Sequence, residues 1–128
     1  MKIQIEIDDS VLEDVFVTAI EGGSNYWYFL SDEAVRLIRR VVPREEEPCL
    51  SVATFKAVMK GTIIPINDVE NEDEVIGLIS LKAMADRLSK LATGDNKWAL
   101  QAHMNEEGDA DSADIVFQYL AMGEVVYG

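Results

Sequence analysis

Apolar residues recur at helical spacing through much of this 128-residue sequence, yet each such stretch is cut short: at Gly22 and Gly23, before Pro43, at Gly94 and at Gly123. Ser10 with Glu13 reads as a capping box that opens a first helix, with Leu12, Val15, Phe16 and Ala19 on its inner face. Ser31 caps a second, in which Asp32 and Glu33 complement the positive end of the helix dipole and Val35, Leu37, Ile38 and Val41 face inward. Its outer side is basic, carrying Arg36, Arg39, Arg40 and Arg44. A short helix fits Ser51 to Lys60. The longest is expected over Glu72 to Thr93, whose stripe of Leu78, Leu81, Ala85, Leu88 and Ala92 suits packing against a partner helix, including that of a second copy in a homo-oligomer. Asp95 to Glu106 reads as another helix, and Asp109 or Asp111 caps the last, with Ala113, Val116, Phe117, Leu120 and Ala121 inward.

Strands are fewer. Lys2 to Asp8 alternates Ile3, Ile5 and Ile7 with polar neighbours, the period-two mark of a strand with one buried face. Thr62 to Ile66 is β-branched and makes a second, placed at a sheet edge by Pro65, and Glu124 to Tyr127 makes a third. Ser24 to Phe29 fits either a short strand or an irregular loop, while Pro43 to Pro48 and Asn67 to Glu74 are connectors by composition. Strands at the beginning, middle and end with helices between them predict an α+β fold, a small mostly antiparallel sheet covered by helices on one side. With 48% hydrophobic and 27% charged residues the chain has the balance of a single globular domain, residues 1–128.

Charge narrows the function classes. Against 24 acids stand 11 bases, a net charge of −13, whereas binding to a phosphate backbone is carried by Lys and Arg. Direct nucleic-acid binding is therefore not expected. The lone Cys49 forms no intrachain disulfide and the first residues lack the layout of a signal peptide, which together predict a cytoplasmic setting. Val75 to Ala92, the longest apolar candidate, is broken by Lys82, Asp86, Arg87 and Lys90, so no membrane association is expected.

Two clusters hold the candidate site residues. In Glu21 to Trp27, a carboxylate in the last turn of a helix faces the negative end of the dipole, and Glu21, Asn25, Tyr26 and Trp27 together can line a binding surface. The alternative is a glycine cap followed by core aromatics. In the second cluster Asp114 and Gln118 lie four apart on one side of a helix, close to Asp109 and Asp111. A carboxylate- or metal-dependent enzyme would need Glu21, Asp111 and Asp114 to converge, but the spacing lacks the glycine and distal Glu of a calcium loop. Acids at a helix N-terminus explain the same residues. Nucleophilic chemistry would need Cys49 beside the only histidine, His103, without a supporting motif. No cofactor fingerprint or metal set is present, and the acidic runs Glu45 to Glu47 and Asp68 to Glu74 read as solvated loops or as an imitation of nucleic-acid charge.

The block Thr18, Ala19, Glu21, Gly22, Gly23, Asn25, Tyr26 and Trp27, with a second block of Asp111, Ala113, Asp114 and Gln118 running on to Gly128, resembles a family of small uncharacterised proteins of bacteriophages and bacterial mobile elements. The resemblance implies a phage or prophage setting and no mechanism. Small acidic proteins of that kind often act by binding a host protein, and the expectation is a binding or interaction protein whose partner is a protein or a small ligand. An acidic nucleic-acid mimic or a structural subunit is the remaining alternative.

Overall fold

The computed structural model describes residues 6–128. In chain order the elements are α1 (Asp9–Thr18), β1 (Tyr28–Phe29), α2 (Asp32–Val41), α3 (Leu50–Met59), β2 (Ile64–Asp68), β3 (Val75–Ile79), α4 (Leu81–Ala92), α5 (Lys97–Met104) and α6 (Ala110–Met122), with a π-helical turn over Ala19–Gly23. They form an α+β domain around a three-stranded antiparallel sheet in the order β1-β2-β3. No described helix is long and apolar enough to cross a membrane.

Helix α6 is the axis of the domain. Nine of its thirteen residues are buried, and it packs on α1, α4, α5 and β3. Its start is fixed by a reciprocal cap: the Asp109 side chain accepts from the Ser112 backbone N–H, and the Ser112 hydroxyl accepts from the Asp109 N–H. Its end is fixed by Gly123 in the left-handed region, at φ 80°. The core beside it is aromatic, with Phe117 edge-on to Phe16 and Tyr28 at centroid distances of 5.9 and 5.6 Å. At Gly77 a Cβ would stand 2.6 Å from the carbonyl oxygen of Ala121, so only a glycine lets the backbone of α6 lie directly on β3.

Several expectations are met locally. Ser31 caps α2 by accepting from the Ala34 N–H, α3 lies where the short helix is expected, and the Pro43 to Pro48 connector holds a turn at residues 44–46. Others need correction. The expected helix over Glu72 to Thr93 is a strand and a shorter helix: β-branched Val75, Ile76 and Ile79 pair with β2, and Ser80 caps α4 by accepting from the Ala83 N–H. Its supposed partner-facing stripe is thereby divided, with Leu78 and Leu81 exposed and Leu88 buried. Pro65 sits in the central strand rather than an edge strand, but β1 reaches only Asn67 and Asp68, so at Pro65 the sheet has a neighbour on one side alone.

The cap of α1 is Asp8, without a side-chain hydrogen bond, and Ser10 lies inside the helix, so the expected Ser10–Glu13 box is not formed. The strand expected from Lys2 to Asp8 falls largely outside the described residues, and its last part, residues 6–8, is irregular. Glu124 to Tyr127 is not a strand either. The backbone N–H groups of Val126 and Tyr127 both donate to the Oε1 of Gln118, at 2.9 Å each, so a side chain stands where a neighbouring strand was expected.

Candidate functional site

The two clusters singled out in the sequence meet on α6. Asp114 is 7% exposed, and its carboxylate accepts from the Ser24 hydroxyl (2.7 Å), the Trp27 indole N–H (2.7 Å), the Gln118 amide (3.1 Å) and the Tyr26 hydroxyl. No cation faces it among the described residues, so four donors do the work that a counter-ion would do elsewhere. The turn that supplies three of those donors is pressed against the start of α6. At Gly23 a Cβ would stand 2.8 Å from the carbonyl oxygen of Ala110, which accounts for the second glycine of the pair by close approach. Ser24 then lies buried beneath α6, with its N–H bonded back to Ala19.

Gln118 extends the cluster outward. Its Nε2 donates to Asp114 and to the carbonyl of Tyr127 (3.0 Å), while its Oε1 takes the two tail N–H groups. The Tyr127 ring lies flat on Trp27, with centroids 5.4 Å apart and planes 9° apart. Burial, donation to Asp114 and the charge of that carboxylate push the Tyr26 hydroxyl up to about 12. Burial alone does the same for Tyr28, whose hydroxyl donates to the carbonyl of Ile20.

Between the tail and the first turns of α6 lies an open cleft of about 460 Å³, walled by Tyr26, Ile115, Val125 and Tyr127, with Asp114 at its base and Asp111 beside it. Of the six candidate site residues Glu21, Asn25, Tyr26, Trp27, Asp114 and Gln118, Tyr26 alone both lines this cleft and is half-exposed, at 52%. Trp27 is 1% exposed and Gln118 fully buried, so neither is a surface anchor; they support the cleft from beneath. Asn25 and Glu21 are exposed and belong to neither the hydrogen-bond cluster nor the cleft lining. The charge of Glu21 is instead felt by the Cys49 thiol.

The convergence of Glu21, Asp111 and Asp114 is not found. No group of three or more His, Cys, Asp or Glu able to hold a metal occurs among the described residues, and every donor to Asp114 comes from the fold itself. Cys49 and His103 are likewise apart. The thiol contacts Ser51 at 3.0 Å and is held below its usual range by that hydroxyl and by backbone N–H groups at the start of α3.

His103 joins a different chain of groups. Its Nδ1 meets Asp14 Oδ2 at 3.2 Å and its Nε2 meets Ser112 Oγ at 2.9 Å, the order of groups found in nucleophilic triads. Ser112, however, is 1% exposed and already accepts from the Asp109 N–H, so its oxygen is sealed from any substrate and the trio ties α1, α5 and α6 together. Gly108 packs against the ring, where a Cβ would stand 2.2 Å from Nδ1.

Ile115, Val125 and Tyr127 were not foreseen as site residues. The four-residue spacing of Asp111 and Ile115, parallel to that of Asp114 and Gln118, is the signal that could have found the first of them. No protein-family model, no curated protein and no solved structure matches this chain.

Proposed function

We propose that this chain is a small acidic interaction protein that works in the cytoplasm by receiving part of a partner protein in the cleft between α6 and the tail. The observation that carries the reading is the cleft itself: an open apolar hollow of about 460 Å³ whose walls are held in place by a saturated hydrogen-bond cluster. Preformed apolar hollows with a few convergent polar groups are the usual form of binding sites. A net charge of −13 favours a basic partner and speeds its approach. The likeness of the Thr18 to Trp27 and Asp111 to Gly128 blocks to small phage and mobile-element proteins supports a bacterial protein as that partner. A single cysteine supports a reducing compartment.

The test is capture from a bacterial lysate at low and at high salt, with the wild-type chain beside Ile115→Glu. A partner retained at high salt and lost with Ile115→Glu supports the cleft. A partner retained by Ile115→Glu and released by salt alone overturns the cleft in favour of charge imitation. Capture of nothing, together with a light-scattering mass of a multimer, overturns it in favour of a structural subunit.

A further inference from the structure

The tail is bound in the manner of a peptide ligand. Among the described residues it pairs with no strand; the Gln118 amide binds the backbone of Val126 and Tyr127, the Tyr26 hydroxyl donates to the Tyr127 carbonyl at 3.5 Å, and the Tyr127 ring stacks on Trp27. An amide side chain that takes two successive N–H groups and gives one N–H to a carbonyl reads main-chain atoms whatever the sequence, and because successive N–H groups of an extended strand point to opposite sides, the backbone it holds is bent. Only the ring position selects a residue type, because a flat stack on Trp27 requires an aromatic. The segment reaches this seat through Gly123, whose positive φ turns the chain back along α6.

Charge around the seat favours a different occupant. Burial raises the Tyr127 hydroxyl, and so do the charges of Asp68, Glu74 and Glu70; Asp111 acts in the same way on Tyr26. Glu124 adds a further carboxylate, and residues 123–128 hold no base. Residues 123–128 therefore satisfy the backbone and ring requirements of the seat while bringing no cation of their own to these carboxylates.

We propose that the Trp27–Gln118 seat is a peptide-recognition site held shut by the chain's own residues Val125 to Tyr127, and that it opens to a partner segment of the same bent backbone with an aromatic residue flanked by lysine or arginine. This deepens the interaction reading above and rests on it, and it moves the partner segment from the hollow beside residues 125–127 into the place those residues occupy. A tail tethered by a few residues competes at an effective concentration in the millimolar range, so the closed form masks the site until the tail is weakened or outcompeted.

The experiment titrates a synthetic peptide, acetyl-Lys-Val-Val-Tyr-Lys-amide, into the full chain and into its Tyr127→Ala variant. The signals followed by NMR are the Trp27 indole N–H and the Gln118 side-chain amide, with the helical circular-dichroism signal confirming the fold. The expected result is binding at least about ten-fold tighter to Tyr127→Ala than to the wild type. Replacing both peptide lysines by glutamate, or N-methylating the peptide's tyrosine, is expected to weaken it by at least about ten-fold. The N-methyl arm removes a backbone donor without touching the protein, so it tests the role of Gln118 even if Gln118→Ala fails to fold. Equal affinity for the two proteins, indifference to N-methylation, or signals that move elsewhere would overturn the latch. If the peptide fails while Ile115→Glu still abolishes partner capture, the latch alone is rejected; if both Ile115→Glu and Tyr127→Ala leave capture unchanged, the interaction reading falls with it.

Discussion

Two buried polar nodes flank the first turns of α6, and they solve the same problem by opposite means. At Asp114 one carboxylate accepts from Ser24, Tyr26, Trp27 and Gln118 with no cation in reach among the described residues. At His103 a ring with two nitrogens sits between Asp14 and Ser112, and the Ser112 hydroxyl also lies 3.1 Å from the carbonyl of Asp109. When the ring is neutral, Nδ1–H serves Asp14 and the serine donates to Nε2; when it is protonated, the serine accepts and turns its proton to the Asp109 carbonyl. The first node is therefore committed to one arrangement of protons, and the second is satisfied in two. A saturated single acceptor makes a rigid base for a binding cleft, whereas an adaptable ring makes a tie between helices.

The comparison breaks most sharply at Asp114. Asp114→Ala strands the buried Ser24 hydroxyl and Trp27 indole N–H, while Tyr26 reaches solvent and the Gln118 amide keeps the Tyr127 carbonyl, and we expect a loss of about 3 kcal/mol in urea unfolding, since each buried unsatisfied group costs about 1 to 3 kcal/mol. Loss of only a few tenths would mean that the donors find water or one another. At the other node Gly108→Ala drives a methyl into the His103 ring, and a loss of about 2 kcal/mol is expected from overpacking. Ser112→Ala should cost less, about 1 kcal/mol, because the Asp109 side chain still holds its bond to the backbone of residue 112; a loss as large as that of Asp114→Ala would erase the distinction between the nodes.

The mildest test is pH. Tyr26 and Tyr28 both titrate near 12 in the fold, above the ordinary value of 10 that holds in the unfolded chain. A raised acid of this kind contributes stability that is complete below pH 10 and is lost as the pH climbs through 12. Thermal melts should therefore stay flat up to about pH 10 and fall beyond it, with a shallower fall in Tyr26→Phe; an unchanged slope in that variant would detach Tyr26 from the effect.

Helix ends were legible because their signals are local. Ser31, Asp109 and Gly123 act on groups three or four residues away, and each was readable from spacing. The run Val75, Ile76, Gly77, Leu78 and Ile79 was misread because its pattern also fits a helix face. What makes it a strand is its pairing with β2, together with a turn closed by the Asn67 amide on the carbonyl of Glu72. Glu124 to Tyr127 has the composition of a strand, yet the residue that takes its N–H groups is a glutamine on a helix, which no propensity encodes. The pairing of Asp114 with Gln118 was readable from their spacing, and a glycine cap followed by core aromatics was the alternative that the buried Trp27 fulfils; what no spacing revealed is the acceptor of its indole N–H, which lies 87 positions further along.

That separation has a consequence during synthesis. Ser24, Tyr26 and Trp27 leave the ribosome 90, 88 and 87 residues before the carboxylate that receives them. At about 5 to 20 residues per second they wait roughly 4 to 18 seconds with an aromatic surface uncovered. The nascent chain thus presents for a time the same indole face that the finished protein covers with its own tyrosine, a window in which chaperones, or a neighbouring copy emerging on the same message, reach it first.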